Sequence, residues 1–162
     1  MRSYAPTDIP VSWTNGGHLF IGPIPPDENA IREIVESGYD TVVTLATDTE
    51  LAELGCPGMQ DAFLRHGVNW THFPIADFDI PGEAETKAWR SIETLLVQRL
   101  KHGGRIMIHC RAGFGRSGMI AARLLIACGS DPDLAVATVR AARPGAIETP
   151  AQLDWAKSAG AI

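Results

Sequence analysis

In HCRAGFGRSG, residues 109–118, five residues separate Cys110 from Arg116, and two of the five are glycine. A loop of that length can wrap a single tetrahedral oxyanion. Glycines allow successive backbone N–H groups to turn inward as an anion nest. A helix opening at the end of the loop would aim its positive dipole end at the same centre. Arg116 offers a planar fork for two phosphate oxygens, a geometry that lysine lacks. Amides, dipole and guanidinium also favour the ionised form of a cysteine among them. Cys110 is therefore read as a nucleophile toward a bound phosphoryl group. The backbone of Arg111, Ala112, Gly113, Phe114, Gly115 and Arg116 is read as the lining of its pocket.

Nucleotide-binding turns use glycine as well, and Gly113, Gly115 and Gly118 spell G-x-G-x-x-G. A dinucleotide fold needs a second strand after the helix, with an acidic residue about 20 positions on. Here Asp131 and Asp133 open a helix instead, and too little chain follows for further βαβ units. The nucleotide P-loop also fails, because no lysine follows Gly115 at the required place. A cradle for one phosphate explains more of the residues.

The elements around the loop suit that role. RIMIHC, residues 105–110, is an apolar run of the kind found at a sheet centre. Gly118 to Cys128 reads as a nearly all-apolar helix that must be buried. Upstream, VSWTNGGHLFIG predicts a hairpin about Asn15-Gly16. PIPPDENAIREIVESG predicts a helix with Asp27 as N-cap, an apolar stripe of Ile31, Ile34 and Val35, and Gly38 as its end. TVVTLA and VNWTHFPI read as strands, with short helical turns between them. From Gly82 to about His102 the spacing predicts a long amphipathic helix, with Trp89, Ile92, Leu95, Leu96 and Leu100 on one side. Two further helices are expected, one capped by Asp131 with Pro132 in its first turn, the other in TPAQLDWAKSAG. Trp89 and Trp155 are expected in the core. Strands alternating with helices give an α/β fold: a central, mostly parallel twisted sheet with helices on both faces. The 109–118 loop then lies at the carboxyl end of a central strand, where such sheets bind ligands.

HCRAGFGRSG also fits the H-C-x5-R-[S/T] signature, so the chain resembles the cysteine-dependent protein tyrosine phosphatases, and among them the dual-specificity type. That resemblance implies Cys110 as nucleophile and Arg116 as the phosphate and transition-state ligand. It implies Ser117 as a hydrogen-bond donor to the sulfur and His109 as the residue ordering the loop beneath it. Breaking a phosphate ester also needs a proton donor for the leaving oxygen, worth about 10²–10⁴-fold. FPIADFDIPG is similar to the acid loop of dual-specificity phosphatases, and most similar to that of the cyclin-dependent-kinase-associated phosphatase group. It implies Asp77 as general acid and base, with Asp79 in reserve. RPGAIETPAQLDW resembles the segment that ends in a water-positioning glutamine, which implies Gln152. The substrate implied is a phosphorylated protein. It would carry phosphotyrosine, and phosphoserine or phosphothreonine where the pocket is shallow. Phe114 disfavours a phosphoinositide, although Arg111 leaves that class open. Two rivals stand beside this reading: a non-catalytic phosphoprotein-binding module, and a rhodanese-type sulfurtransferase.

Bulk properties narrow the field. A chain of 162 residues is expected to form one domain with a real core. Its net charge of −5 argues against nucleic acid and anionic membranes as partners. No apolar run reaches the length of a membrane span. Three cysteines without metal-like pairing suggest a reducing, cytoplasmic setting, and five scattered histidines suggest no metal site. Cys56 is expected to be a free loop thiol, with a disulfide to Cys110 as the alternative, and Cys128 a small buried hydrophobe. Arg143, before Pro144, is expected to interact with a helix C-terminus. No cofactor is expected, and nothing demands more than a monomer.

Overall fold

The computed structural model describes residues 4–11 and 16–160. A five-stranded sheet forms its centre, in the order β1-β2-β5-β3-β4. The strands are β1 (Thr7–Ile9), β2 (His18–Gly22), β3 (Thr41–Thr44), β4 (Asn69–His72) and β5 (Arg105–His109). Among the described residues, only the β1–β2 pairing is antiparallel; β2–β5, β5–β3 and β3–β4 are parallel. The sheet is thus mostly parallel, as the alternation of elements suggested. The expected hairpin pairs Ile9 with Leu19, so its first strand precedes the VSW run. Asn15, read as its turn, lies outside the described residues.

β5 sits in the middle and alternates between two cores, as a strand's two-residue period requires. Ile106 and Ile108 face one cluster with residues of α4 (Glu83–Lys101), α5 (Gly115–Ala127), α6 (Pro132–Ala142) and α7 (Pro150–Lys157). Met107 faces the other, with residues of α1 (Glu28–Glu36), α2 (Asp48–Glu53) and α3 (Met59–Arg65). Helices therefore cover both faces. α1 begins and ends as its sequence signals: the Asp27 carboxylate accepts from the Ala30 amide, and Gly38 follows with φ +77°.

In α4, Trp89, Leu96 and Leu100 are buried, but Leu95 is 45% exposed. Six residues at 100° each turn Leu95 about 120° away from Trp89. Glu93, about 40° away by the same geometry, falls on the inner face instead. It is buried there against Arg123, whose Nε donates at 2.8 Å. Trp155 stacks with Arg123, 4.1 Å from guanidinium carbon to ring centre, and both expected core tryptophans are buried. α5 begins at Gly115, three residues before the expected start at Gly118. Its first bond runs from the Gly118 amide to the Phe114 carbonyl, which places Arg116 and Ser117 in the first turn. No described helix is long and apolar enough to cross a membrane.

Candidate active site

The loop from Cys110 to Phe114 joins the end of β5 to the start of α5. Cys110 is 3% exposed, and the Gly113 amide donates to its Sγ at 3.2 Å. Gly113 has φ +78°, and a Cβ there would lie 2.3 Å from the Gly22 carbonyl carbon. Only glycine fits such a turn pressed against a second backbone. The loop's outer side is held by Arg143, which donates to the carbonyls of Gly113 at 3.1 Å and Ala112 at 3.0 Å. Its guanidinium also stacks on Phe114 at 4.1 Å. Carbonyls drawn outward leave the amides free to face inward. Arg143 does more than finish a helix, and only the fold reveals it. Arg111 and Ala112 are exposed at the mouth.

Arg116 is 1% exposed and heavily bonded. Nη1 donates to Glu50 Oε2 at 2.7 Å and to the Ile75 carbonyl at 2.8 Å, while Nη2 donates to Glu50 Oε1 at 2.8 Å. Asp77 Oδ1 lies 3.0 Å from Nη2. The guanidinium, by donating to both its oxygens, holds the Glu50 carboxyl down at about 2. Two buried groups beside the loop have no hydrogen-bond partner among the described residues: Arg116 Nε and Ser117 Oγ. Buried donors in proteins nearly always find partners. A phosphoryl oxygen would complete Nε, and the Cys110 sulfur or its phosphoryl group would complete the serine. Glu50 escaped the sequence reading, though Thr47 and Glu50 spell the S/T-x-x-E capping box that the structure contains.

Beneath the cysteine, His109 is fully buried. Burial pushes its imidazole down to about 4, so the ring is neutral near neutral pH. Nδ1 lies 3.3 Å from the Cys110 carbonyl, which can only accept, and Nε2 lies 2.7 Å from Thr44 Oγ1. The network therefore assigns the proton to Nδ1, with Nε2 accepting from the Thr44 hydroxyl. The same hydroxyl accepts from Trp70 Nε1 at 2.9 Å. Because the folded value is depressed, this residue's support is complete above about 6.5 and is lost as pH falls toward about 4. Denaturant melts of parent and His109→Asn across that window test the point. The parent should weaken over it, and the variant, whose amide can still donate to the Cys110 carbonyl, should show a shallower slope.

Two carboxylates flank the loop. Asp77 reaches Arg116, and its Oδ1 also accepts from the Phe78 amide at 3.1 Å. Asp79 turns back to its own chain, accepting from the Ile80 amide at 2.8 Å, and forms no bond to the loop. Of the two acid candidates, the fold brings Asp77 to Arg116. Glu148 Oε2 would lie 2.2 Å from a Cβ on Gly115, and Gln152 Oε1 3.0 Å. Gln152 is fully buried and closes a capping box at the start of α7. Its Oε1 accepts from the amides of Glu148 at 2.9 Å and Thr149 at 3.3 Å, and its Nε2 donates to the Asp79 carbonyl at 3.4 Å. Among the described residues, the two non-glycine positions with positive φ are Phe78 and Ile147, both at +61°. Each adjoins one of these carboxylates. Such a backbone costs about 1–3 kcal/mol and persists only where neighbours enforce it.

All three cysteines are free thiols. Cys56 donates to the Pro25 carbonyl at 3.4 Å, so no disulfide joins it to Cys110. Cys128 is half-buried rather than fully enclosed, and burial pushes its thiol up to about 11.

Sequence and fold comparisons place the chain in a family. The family model described as the Swiss Army Knife protein DSP-PTPase phosphatase domain (PTP-SAK) matches residues 9–155. The chain belongs to that family of dual-specificity and tyrosine phosphatase domains. Rat cyclin-dependent kinase inhibitor 3 is 32% identical over 127 residues, covering 76% of this chain and 58% of the relative. Mouse protein tyrosine phosphatase domain-containing protein 1 is 29% identical over 132 residues, covering 76% of this chain but 17% of the relative. The chain thus spans less than two thirds of either relative. A kinase-associated phosphatase (KAP), crystallised with its catalytic-site cysteine replaced by serine, superposes with a TM-score of 0.85 at 25% identity. That match covers 96% of this chain and 93% of the other. Tk-PTP in its active form follows with 0.74 at 29%, covering 93% and 94%.

Proposed function

We propose that residues 1–162 carry one catalytic domain that hydrolyses phosphate monoesters on proteins through a phosphocysteine intermediate on Cys110. Phosphotyrosine is the principal substrate, with phosphoserine and phosphothreonine admitted at the same mouth. A dianionic phosphoryl group enters the cradle and takes hydrogen bonds from the loop amides and from Arg116 Nε and Nη2. Cys110 Sγ attacks phosphorus in line, the ester P–O bond breaks, and Asp77 gives its proton to the departing oxygen. Ser117 donates to the sulfur, which eases its departure when water displaces it. His109 holds the Cys110 carbonyl, and Gln152 bounds the pocket beside Gly115. None of these steps calls for a metal or cofactor, and a reducing compartment suits a free catalytic thiol.

One observation carries this reading: Asp77 Oδ1 stands 3.0 Å from the guanidinium that ends the Cys110 loop. It supports a reading in which nucleophile, anion ligand and proton donor serve one centre. A rhodanese-type sulfurtransferase has no use for that carboxylate, nor does a module that only binds phosphoproteins. The test is turnover of aryl phosphates by reduced protein. Asp77→Asn should lower kcat by about 10²–10⁴-fold. The loss should be larger for phenyl phosphate than for p-nitrophenyl phosphate, whose leaving group needs little help. Equal losses for both, or a larger loss with Asp79→Asn, would remove Asp77 from the role.

A further inference from the structure

We infer that Tyr4 is a positioning residue of the phosphate cradle, aiming the Ala112 amide at the bound oxyanion through the Pro23–Ile24 peptide. The inference rests on the phosphatase reading and carries the cradle into a segment ahead of β1.

A trans peptide is planar, so its C=O and the N–H that follows point in opposite directions. No described peptide bond is cis. Each loop carbonyl held from outside therefore turns the next amide inward. Donors stand behind all five carbonyls from Cys110 to Phe114. His109 Nδ1 lies 3.3 Å from the Cys110 carbonyl, and the Ile24 amide donates to that of Arg111 at 3.1 Å. Arg143 donates to Ala112 and Gly113, and the Ile147 amide to Phe114 at 3.2 Å. The Arg111 carbonyl, and with it the Ala112 amide, is thus held from the chain just past β2.

The peptide that holds it is gripped at its other end. The Pro23 carbonyl accepts from Tyr4 Oη at 2.6 Å, while the Ile24 N–H of the same plane reaches Arg111. Hydroxyl, peptide and loop carbonyl form one chain of hydrogen bonds, in which each polarises and strengthens the next. The adjoining Gly22–Pro23 peptide is the wall against which the loop turns, since a Cβ on Gly113 would lie 2.7 Å from Pro23 N. Tyr4 is itself fixed. Its amide donates to Glu33 Oε2 at 2.6 Å, and a Cβ on Gly22 would lie 3.0 Å from its Oη. Burial pushes the phenol far up, so it stays a donor near neutral pH, and charges on Arg143 and Cys110 both reach it. Nearby, Thr7 Oγ1 accepts from Arg143 Nη1 at 3.3 Å. Tyr4 and Thr7 therefore stand behind two of the donors that brace the loop.

Tyr4→Phe removes the hydroxyl and keeps the ring. With p-nitrophenyl phosphate, kcat/KM should fall about tenfold, the scale of one net hydrogen bond. The Kd for tungstate, measured by calorimetry well below the melting temperature, should rise by a similar factor. In proton–nitrogen correlation spectra, the Ile24 amide proton should move upfield as its bond to Arg111 weakens. Gly22→Ala reaches the same chain by another route, because the new methyl pushes on the hydroxyl. It should weaken tungstate binding too, and combining it with Tyr4→Phe should do no more harm than Tyr4→Phe alone. Losses that multiply would mean that the two changes act separately, and would overturn the inference. A Tyr4→Phe protein that melts earlier yet keeps the parental tungstate Kd and kcat/KM also overturns it, confining Tyr4 to the fold. A parent that binds tungstate but turns over no aryl phosphate overturns the phosphatase reading, and weaker tungstate binding by Tyr4→Phe would then still support the role of Tyr4 in the cradle. A parent that does neither overturns both.

Discussion

Cys110→Ser should abolish turnover, lowering kcat by at least about 10⁴-fold, the scale on which loss of a covalent nucleophile acts. A hydroxyl in place of the thiol needs a general base to become a nucleophile. The adjacent histidine cannot supply one. His109 Nδ1 faces the Cys110 carbonyl at 3.3 Å and Nε2 faces Thr44 at 2.7 Å, so neither nitrogen is free to take a proton from the new hydroxyl. Its burial, which pushes the ring down to about 4, also opposes the imidazolium that such a base must become. The binding site should survive the change. Arg116 keeps its contacts to Glu50 and Ile75, and the loop keeps its brace from Arg143. The variant should therefore still bind an unreactive oxyanion such as tungstate. A thermal shift reads this directly, because a ligand at 100 times its Kd stabilises by about 2.7 kcal/mol. Activity within tenfold of the parent would mean that the sulfur is not the attacking atom. Loss of both activity and tungstate binding would mean that Cys110 only holds the loop.

Elements with a local cause were legible in the sequence. Asp27, Asp131 and Thr149 each cap the helix they precede, and residue type alone marks the first two as caps. β5 was recognisable because its apolar run has no polar face, which suits a strand covered on both sides. Cys110 and Arg116 were legible because a loop that wraps an anion is contiguous in sequence. Glu50 was not: it meets Arg116 across 66 residues, inside a stretch that read only as short helical turns. Gln152 was noticed, but its burial depends on how α7 meets the loop, and sequence carries no record of that meeting. The left-handed backbones of Phe78 and Ile147 contradict their side chains' own preferences. No propensity could foresee them, because surrounding structure imposes them. Arg143 likewise acquires its role from Phe114 and two distant carbonyls.

Glu50→Ala should both destabilise the protein and impair its chemistry. Arg116 is almost fully enclosed, and both Glu50 oxygens accept from it. Removing one partner of a buried pair costs about 3–5 kcal/mol, since the other charge stays behind with only the half-exposed Asp77 to balance it. For a domain of this size that corresponds to a fall in Tm of roughly 6–20 °C. Part of the loss comes from the capping box, because Glu50 Oε2 also accepts from the Thr47 amide at 2.9 Å. Thr47→Ala, which weakens the cap and spares the pair, measures that part separately. Acid adds a signature. The Glu50 carboxyl is held at about 2 against an ordinary 4.5, chiefly by its hydrogen bonds with Arg116. Its contribution is therefore complete above about 4.5 and disappears as pH falls toward about 2, so Glu50→Gln should flatten the parent's acid unfolding limb in that window. The catalytic effect follows from aim. Without Glu50 the guanidinium keeps Ile75 and Asp77 as partners, and Asp77 is then drawn into the pair it must leave to act as an acid. Displacing a positioned group by about 1 Å can cost 10²-fold, so kcat should fall by roughly that factor even well below the variant's Tm. A variant that melts like the parent would show that the pair does not hold Arg116. One that melts early yet turns over normally when cold would confine Glu50 to the fold.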